Sequence, residues 1–265
     1  MKDFSGKTVI ITGSSKGIGK TTALAFLAAG ANVVLNGRNR ETLDATRMEM
    51  ESLGYRPLAI PADVSNMNEC LHLVRSATDR YGRIDCLINN AGTPVRGRFE
   101  ELHHSVMEKV ITGNLITALF TTRAALPEIM KTNGSIIFIS SLAAIHGIPY
   151  NSPYCAAKAG IDALAESLRI ELTKNKVHIG LLHVGLVEIY PGKTVMGPDG
   201  NHISLNRSGD QTEKDVAKAI LHLVRKRKTE MTLTPLGKLM KYVQKISPSL
   251  VEYILIRKLH SKQFM

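Results

Sequence analysis

The fold is decided by the segment Thr8-Val-Ile-Ile-Thr-Gly-Ser-Ser-Lys-Gly-Ile-Gly19. Its first four residues are all β-branched, which favours a strand, and the residues from Gly17 onward have the apolar spacing of a helix. Between them lies a glycine turn, whose backbone can approach a ligand closely. Because a helix start offers unpaired N–H groups and the positive end of its dipole, this segment predicts a phosphate site. The alternative is a turn with a purely structural role.

Strands and helices alternate along the rest of the chain. Strands are predicted at Thr8–Ile11, Asn32–Leu35, Leu58–Ile60, Ile84–Ile88, Ser135–Ile139, Val177–Val184 and Met231–Thr234. Helices are predicted at Gly17–Ala29, Arg40–Leu53, Asn66–Arg80, Ser105–Met130, Tyr154–Thr173 and Thr212–Arg225. The strands are apolar at most positions, which is typical of parallel strands covered on both faces. The sequence therefore predicts an α/β, doubly wound Rossmann fold with about seven parallel strands.

One domain is predicted for residues 1–265, because no repeat and no low-complexity linker divides the chain. The glycine- and proline-containing stretch 189–211 is too long for an ordinary connection, so we predict an irregular, mobile substrate lid there. Residues 236–265 are a basic and apolar C-terminal extension, with a final helix predicted over 249–262.

Composition and charge exclude several classes of protein. The chain has 265 residues and is 44% hydrophobic, which is enough for a sizeable core. Its net charge is +11, but residues 225–265 hold 10 basic and only 2 acidic residues, so a nucleic-acid partner is not expected. The spacing of the three cysteines fits neither a disulfide framework nor a metal site. Without a leader or an apolar run of about 18 residues, we expect a cytoplasmic protein, or one peripheral to a membrane.

The end of the second predicted strand bears on the choice of cofactor. Sheets that bind NAD usually place a carboxylate there for the ribose 2′-hydroxyl, whereas this chain has Asn36-Gly37-Arg38. The guanidinium of Arg38 and the ammonium of Lys16 could converge on a 2′-phosphate. We therefore predict NADP(H) in preference to NAD(H). The alternative is two solvated surface cations.

The residues best suited to catalysis are Ser141, Tyr154 and Lys158. Four residues of helix bring Tyr154 and Lys158 onto one face, where the ammonium can stabilise a phenolate. Ser141 ends the fifth predicted strand, thirteen residues earlier, and can donate to a substrate carbonyl oxygen. The Y-x-x-x-K spacing alone also arises by chance, but ligands bind at this edge of open α/β sheets.

The chain resembles the short-chain dehydrogenase/reductase family over nearly its whole length. The matching motifs are Thr12-Gly-x-x-x-Gly-Ile-Gly19, Asp63-Val64, Asn89-Asn-Ala-Gly92, Asn114, Ser141, Tyr154 and Lys158. The resemblance implies that Tyr154 is the general acid/base, that Ser141 polarises the carbonyl, and that Lys158 lowers the pKa of the tyrosine and holds the nicotinamide ribose. It also implies that Asn114 supports a water that relays protons to Lys158.

The same resemblance completes the set of predicted cofactor contacts. Asp63 and Val64 would flank the adenine, and residues 90–92 would stabilise the sheet beneath the cofactor. The predicted cofactor-binding residues are Gly13, Ser15, Lys16, Gly17, Ile18, Gly19, Arg38, Asp63, Val64, Asn90, Ala91, Gly92, Tyr154, Lys158 and Val187. The long helices that contain Asn114 and Tyr154 commonly pack against a partner chain in such relatives, which implies a homodimer or homotetramer.

After the sixth strand the chain departs from the family, because Val184-Gly-Leu-Val-Glu-Ile189 replaces the frequent Pro-Gly and the threonine that follows it. Val187 can still offer its backbone to the nicotinamide carboxamide, but position 189 supplies no hydroxyl.

His183 lies on or near a strand without a carboxylate or cysteine at metal-ligand spacing, so no metal is predicted. His146 and Tyr150 are candidates for lining the substrate cleft.

The C-terminal segment 250–259 carries many apolar side chains on a predicted helix too short to span a bilayer. Something must cover these side chains, and the leading alternative is packing on the core or on a second subunit. The second alternative is docking on an anionic membrane surface.

These observations predict an oxidoreductase that uses NADP(H) to interconvert a ketone or aldehyde and an alcohol on a small apolar substrate. A 3-oxoacyl carrier-protein reductase is an alternative, because a basic surface would attract an acidic carrier. A cofactor-binding sensor without turnover is another, although the set of Asn114, Ser141, Tyr154 and Lys158 is complete.

Overall fold

A computed structural model describes residues 3–188, 193–205 and 209–260. The strands are β1 (Thr8–Ile11), β2 (Asn32–Gly37), β3 (Leu58–Pro61), β4 (Cys86–Asn89), β5 (Ser135–Ser141), β6 (His178–Val184), β7 (Thr194–Met196), β8 (His202–Ser204) and β9 (Glu230–Thr232). The helices are α1 (Gly17–Ala28), α2 (Arg40–Ser52), α3 (Met67–Tyr81), α4 (His104–Ile111), α5 (Thr117–Lys131), α6 (Leu142–Ile145), α7 (Ser152–Glu171), α8 (Glu213–Lys226), α9 (Pro235–Ile246) and α10 (Pro248–His260).

Seven strands form one sheet in the order β3-β2-β1-β4-β5-β6-β9, and every neighbouring pair is parallel. The register places Ile10 opposite Val34 on one side and opposite Leu87 on the other. This arrangement confirms the predicted doubly wound Rossmann fold with seven parallel strands.

The alternation of strand side chains divides the core into two layers. Val9 and Ile11 point to the layer that α1, α2 and α8 cover, and Ile10 points to the layer that α3, α5 and α7 cover. Phe26 and Phe138 are the largest fully buried side chains of the two layers. Helices on both faces explain why the strands are apolar at consecutive positions.

The strand order reverses beside β1, which lies between β2 and β4 although β2 and β3 follow it in the chain. In open α/β sheets the crevice at such a reversal, outside the carboxyl ends of the strands, is where ligands bind. The glycine turn after β1 and the end of β5 at Ser141 lie at this edge, because all seven strands run in the same direction.

Two elements differ from the prediction. The helix predicted over Ser105–Met130 is α4 and α5 joined by a π-helical turn at Thr112–Ile116. Within the predicted irregular stretch 189–211, β7 and β8 form a short antiparallel hairpin, while residues 189–192 and 206–208 lie outside the described residues. A π-helical turn adds one residue to a helix, and this addition is not visible in the hydrophobic spacing of the sequence. The strands β7 and β8 have three residues each, which is too short for an alternation of apolar and polar residues to be detected.

The C-terminal extension forms α9 and α10, which pack against each other, and positions 261 and 262 of the predicted last helix lie outside the described residues. None of the helices in the described part of the chain is long and apolar enough to cross a membrane.

Candidate active site

The turn between β1 and α1 is built around close backbone contacts. Gly13 and Gly17 have φ values of +62° and +61°, in the region that favours glycine. A Cβ atom on Gly19 would lie 2.3 Å from the Gly13 carbonyl oxygen and 2.6 Å from the Asn90 side-chain nitrogen. The turn therefore brings bare backbone to the edge of the sheet, as a dinucleotide site needs.

Asn90 and Ala91 hold this turn in place through hydrogen bonds to Thr12 and Gly13. The Asn90 side-chain amide donates to the carbonyl oxygens of Thr12 and Gly13 at 2.9 and 3.0 Å. The backbone N–H groups of Asn90 and Ala91 both donate to Thr12 Oγ1 at 3.0 Å. These bonds hold the glycine turn against the segment that follows β4.

The N-terminus of α1 is open to an anion. Lys16 precedes the helix, and among the described residues no side chain caps its first N–H groups. The first turn, which begins with Gly17, Ile18 and Gly19, contains no acidic residue. This helix end retains its positive dipole and its unpaired N–H groups, which suit a pyrophosphate.

Arg38 and Lys16 are both exposed and flank the open end of α1 and the end of β2. Ser15 packs against Gly37, where a Cβ atom would lie 2.2 Å from Ser15 Oγ. Asn36 is buried, and its side-chain amide donates to the carbonyl oxygens of Ile60 and Ala62 at 3.3 and 3.0 Å. The first exposed residue after β2 is therefore the cation Arg38.

Asp63 and Val64 follow β3 at the same edge. Asp63 Oδ1 accepts hydrogen bonds from the backbone and hydroxyl of Ser65 at 3.0 and 2.7 Å. The Val64 side chain is buried in the core beside Cys70. A contact from position 64 to an adenine would therefore come from its backbone.

Asn114 lies in the π-helical turn and is fully buried. Its amide donates to the carbonyl oxygens of Thr93 and Val110 at 2.9 and 2.8 Å. Its Oδ1 has no hydrogen-bond partner within the described part of the chain, and a Cβ atom on Gly92 would lie 2.9 Å from it. Because a buried acceptor without a partner is costly, this oxygen marks a place for a water or a ligand donor.

Lys158 lies beside this oxygen. Its side chain is buried, and Nζ donates to the Ile139 carbonyl oxygen at 2.8 Å and lies 5.5 Å from the centre of the Tyr154 ring. Burial lowers the pKa of Lys158 to about 8, and the negative charge of Asp162 opposes that shift. A Cβ atom on Gly92 would be 3.8 Å from Nζ, an ordinary contact distance, so Gly92 lies next to both the ammonium and Asn114 Oδ1.

Ser141 ends β5 and caps the short helix α6, with its Oγ accepting from the Ala143 N–H at 3.2 Å. Within the described residues its hydroxyl proton has no acceptor, so Ser141 can donate to a ligand. Tyr154 is half-buried against an apolar cluster that contains Val95, Val106 and Met196. The structure thus places Asn114, Tyr154 and Lys158 together, with Ser141 at the same edge of the sheet.

The segments around Val187 and Met196 close the edge of this region. Two backbone hydrogen bonds flank Val187: the Glu188 N–H donates to the Gln211 carbonyl, and the Asp210 N–H donates to the Leu186 carbonyl. Neither of these bonds uses the N–H or the C=O of Val187 itself. Met196 of the hairpin exchanges backbone hydrogen bonds with the segment 94–96.

Tyr150, predicted to line the cleft, has a φ of +65°, which is a strained conformation for a bulky residue.

The sequence analysis missed a partly buried polar network behind Lys158. Asp162, one helical turn after Lys158, accepts from Ser140 Oγ at 2.5 Å, and its Oδ2 lies 2.6 Å from His183 Nε2. His183 Nδ1 lies 3.0 Å from Glu230 Oε1, which also contacts the Lys241 ammonium. The spacing of residues around His183 did not reveal these carboxylates, because they are 21 residues before it and 47 residues after it in the chain. Among the described residues, no group of histidine, cysteine and acidic side chains could hold a metal ion.

A family model described as short chain dehydrogenase matches residues 7–194, more than half of the chain. The protein belongs to the short-chain dehydrogenase family. It is similar to the ketoacyl reductase HetN of Nostoc sp. (strain PCC 7120 / SAG 25.82 / UTEX 2576), at 34% identity over 261 residues, with 96% of this chain and 90% of that protein covered. As a short-chain dehydrogenase it is an oxidoreductase that acts on CH–OH groups.

Two solved short-chain dehydrogenase and alcohol dehydrogenase structures are similar to it. One is a short chain dehydrogenase/reductase from Burkholderia phymatum in complex with NAD, with a TM-score of 0.82, 22% identity and coverage of 94% of this chain and 96% of that one. At that identity the likeness shows the shared fold. The other is an alcohol dehydrogenase from Thermococcus sibiricus complexed with 5-hydroxy-NADP, with a TM-score of 0.75, 25% identity and coverage of 86% and 95%.

Proposed function

We propose that this short-chain dehydrogenase uses NADP(H) to interconvert a ketone or aldehyde and the corresponding secondary or primary alcohol on an apolar substrate. The observation that carries the proposal is the buried Lys158 ammonium beside the Tyr154 ring and the unpartnered Asn114 oxygen. A buried cation next to a phenol favours the phenolate, so the tyrosine can give and take a proton near neutral pH.

Cofactor binding is proposed at the open end of α1. The glycine turn and the uncapped N–H groups would hold the pyrophosphate, and Lys158 would hold the nicotinamide ribose. Val187 would offer its backbone to the carboxamide. When bound, the nicotinamide group supplies a hydride to the carbonyl carbon or accepts one from the alcohol.

The protein's own groups handle the proton. In the reducing direction Tyr154 donates its hydroxyl proton to the substrate oxygen, while Ser141 donates a hydrogen bond to the same oxygen. The Lys158 ammonium stabilises the resulting phenolate. Asn114 Oδ1 accepts from a water that passes a proton toward Lys158 and Tyr154, which restores the phenol. In the oxidising direction each proton step reverses.

The preference for NADP(H) is proposed from charge. Arg38 and Lys16 are exposed beside the glycine turn, and the side-chain amide of Asn36 donates to main-chain carbonyl oxygens. A 2′-phosphate would therefore meet two cations at a strand end without the usual carboxylate, an arrangement that favours NADP(H) over NAD(H).

The apolar character of the substrate is proposed from the surroundings of Tyr154. Val95, Leu102, Val106 and Val110 form a buried apolar cluster against which Tyr154 and Met196 pack. A substrate that reaches the Tyr154 hydroxyl would lie beside these side chains, whose burial favours apolar partners.

A 3-oxoacyl carrier-protein reductase remains the second candidate, because a relative named ketoacyl reductase covers nearly the whole chain and the surface carries a net charge of +11. The experiment is a comparison of NADPH and NADH oxidation with apolar ketones and aldehydes, free 3-oxoacyl esters and carrier-bound 3-oxoacyl groups. We expect the highest kcat/KM with NADPH and a free apolar carbonyl. A clear preference for the carrier-bound substrate would support the second candidate, and binding of NADPH without any turnover would support a sensor.

We also propose a homodimer or homotetramer formed through the long helices α5 and α7. Met130 and Ile170 are large apolar side chains exposed on these helices, and a partner chain would cover them. Light scattering of the purified protein should give at least twice the chain mass of 29.0 kDa, and a monomer would contradict this proposal.

A further inference from the structure

Both C-terminal helices expose several large apolar side chains. Leu236, Leu239, Tyr242 and Ile246 follow one face of α9 at helical spacing, with exposed fractions of 59%, 60%, 68% and 84%. On α10, Leu250, Tyr253 and Ile254 are also exposed. We call these seven residues the C-terminal apolar face. Exposed apolar patches of this kind mark a surface that meets a protein or a membrane.

The opposite side of α9 is attached to the body of the protein. Gln244 Oε1 lies 2.8 Å from His146 Nδ1, and Lys241 contacts Glu230. Gly237 is buried, and a Cβ atom there would lie 2.7 Å from the Leu142 side chain. The apolar face is therefore the outer side of an anchored helix, and the protein core does not cover it. In the segment 250–259, Val251 is buried, whereas Leu250, Tyr253 and Ile254 are exposed, so packing within this chain covers only part of that segment.

The charges around the face decide between the remaining occupants. Lys238, Lys245 and Arg257 are exposed on the same two helices, and residues 235–260 contain five basic residues and one acidic residue, Glu252. In a symmetric dimer the same patch meets itself, so these cations would face their own copies. An anionic lipid surface offers the complementary charge.

We propose that the C-terminal apolar face docks α9 and α10 on the surface of an anionic phospholipid bilayer, with the apolar side chains among the acyl chains and the lysines at the headgroups. An amphipathic helix with a basic polar side lies in the plane of a membrane in this way. The proposal does not depend on the reaction that the enzyme catalyses.

Docking would also bring the substrate region close to lipid. The inner side of α9 contacts Leu142 and His146, which lie one and five residues after Ser141 in the chain. One helix, about 10 Å thick, would then separate the short helix α6 after Ser141 from the bilayer. An apolar substrate dissolved in the membrane would have a short path to the cleft.

The test is flotation of the full-length protein with phosphatidylcholine vesicles, with and without phosphatidylserine. We expect binding to the vesicles that contain phosphatidylserine, much weaker binding to phosphatidylcholine alone, and release by salt. Replacement of Lys238 and Lys245 by Gln should weaken binding about fivefold per lysine and about 25-fold for the pair. Replacement of Lys174 and Lys214, two exposed lysines elsewhere, should leave binding unchanged.

A second pair of variants tests the apolar contribution. The double variant Leu239→Gln and Ile246→Gln should abolish flotation. The control double variant is Met48→Gln and Leu53→Gln, which alters two comparably exposed apolar residues on and next to α2. This control should still float with the vesicles. Far-UV circular dichroism and NADPH binding check that each variant is folded. The lysine variants keep the test decisive if the apolar pair fails to fold, because they change only exposed side chains.

Three results would overturn the proposal. One is an absence of wild-type binding to the phosphatidylserine vesicles. Another is vesicle binding that remains at the wild-type level both when Lys238 and Lys245 are replaced and when Leu239 and Ile246 are replaced. The third is a loss of mass in light scattering when Leu239 and Ile246 are replaced, which would identify the face as a subunit interface. None of these readouts uses substrate turnover, so their failure is separate from a failure of the proposed function.

Discussion

Asp162 and His183 are in direct contact behind the active site, with the carboxylate Oδ2 2.6 Å from the ring Nε2. Asp162 lies on α7, four residues after Lys158, and His183 lies on β6 with an exposed fraction of 2%. The contact therefore fixes a negative charge close to the buried ammonium that Tyr154 requires. Because the network continues from His183 to Glu230 and Lys241, it also joins the active-site helix to α9.

Replacement of Asp162 by Asn should change the pH dependence of catalysis. The charge of Asp162 opposes the effect of burial on Lys158, so its removal should lower the pKa of Lys158 below about 8. Lys158 would then lose its proton at a lower pH, and the alkaline limb of the kcat/KM profile should move in the same direction. Activity should fall more at about pH 8 than at about pH 6.

Controls separate this electrostatic effect from a structural one. Glu166→Gln removes an exposed carboxylate one turn further along α7 and should leave the profile unchanged. Asp162→Glu keeps the charge and should restore much of the wild-type profile. A uniform loss of activity at every pH in Asp162→Asn would show that the residue acts only on structure.

Replacement of Lys158 by Met should stabilise the folded protein while it abolishes turnover. Burial lowers the pKa of Lys158 from 10.5 to about 8, so the folded state binds the proton more weakly than the unfolded state. At neutral pH this protonation costs about 3 kcal/mol of folding free energy. A methionine of similar length avoids that cost, although it also loses the bond to the Ile139 carbonyl.

The sign of the pH dependence provides the check. Between about pH 8 and pH 10.5 the unfolded Lys158 keeps its proton while the folded one has lost it, so wild-type stability should rise relative to the variant. Urea denaturation of both proteins across this range measures the difference. If the difference between the two stability curves stays constant with pH, the buried ammonium is not destabilising.

Replacement of Arg38 by Asp should reverse the cofactor preference. The Kd for NADPH should rise roughly 10- to 100-fold, because a charge-assisted contact to the 2′-phosphate is lost. The Kd for NADH should stay the same or fall, because the new carboxylate can accept from the ribose hydroxyl groups. Arg40→Asp, two residues away and also exposed, serves as the matched control. Equal weakening for both cofactors would refute the assignment of Arg38.

The sequence predicted the parts of this protein that depend on local pattern. The β-branched strands, the glycine turn and the Tyr154–Lys158 spacing each follow from residues close together in the chain, and the parallel sheet follows from their alternation. The π-helical turn at Asn114 was not predicted, because it adds one residue to a continuous helical pattern. The Asp162–His183 contact was not predicted, because it joins residues that only the sheet brings together.

The hairpin of β7 and β8 shows the same limit. Met196 of this hairpin forms backbone hydrogen bonds with the segment after β4, about 100 residues earlier in the chain. The exposure of the apolar side chains on α9 could not be predicted either. Amphipathic spacing indicates which side chains share a face, but it does not indicate which of its faces the helix presents to the core.

The central claim is that Tyr154 transfers the proton while Lys158 and Asn114 support it, and Tyr154→Phe tests this most directly. Wild-type and variant proteins should be compared for NADPH oxidation with the best carbonyl substrate and, separately, for NADPH binding, with Tyr55→Phe as a control. We predict that Tyr154→Phe lowers kcat by about 10²- to 10⁴-fold and changes the Kd for NADPH only slightly, while Tyr55→Phe remains active. Turnover by Tyr154→Phe at the wild-type rate would contradict the account.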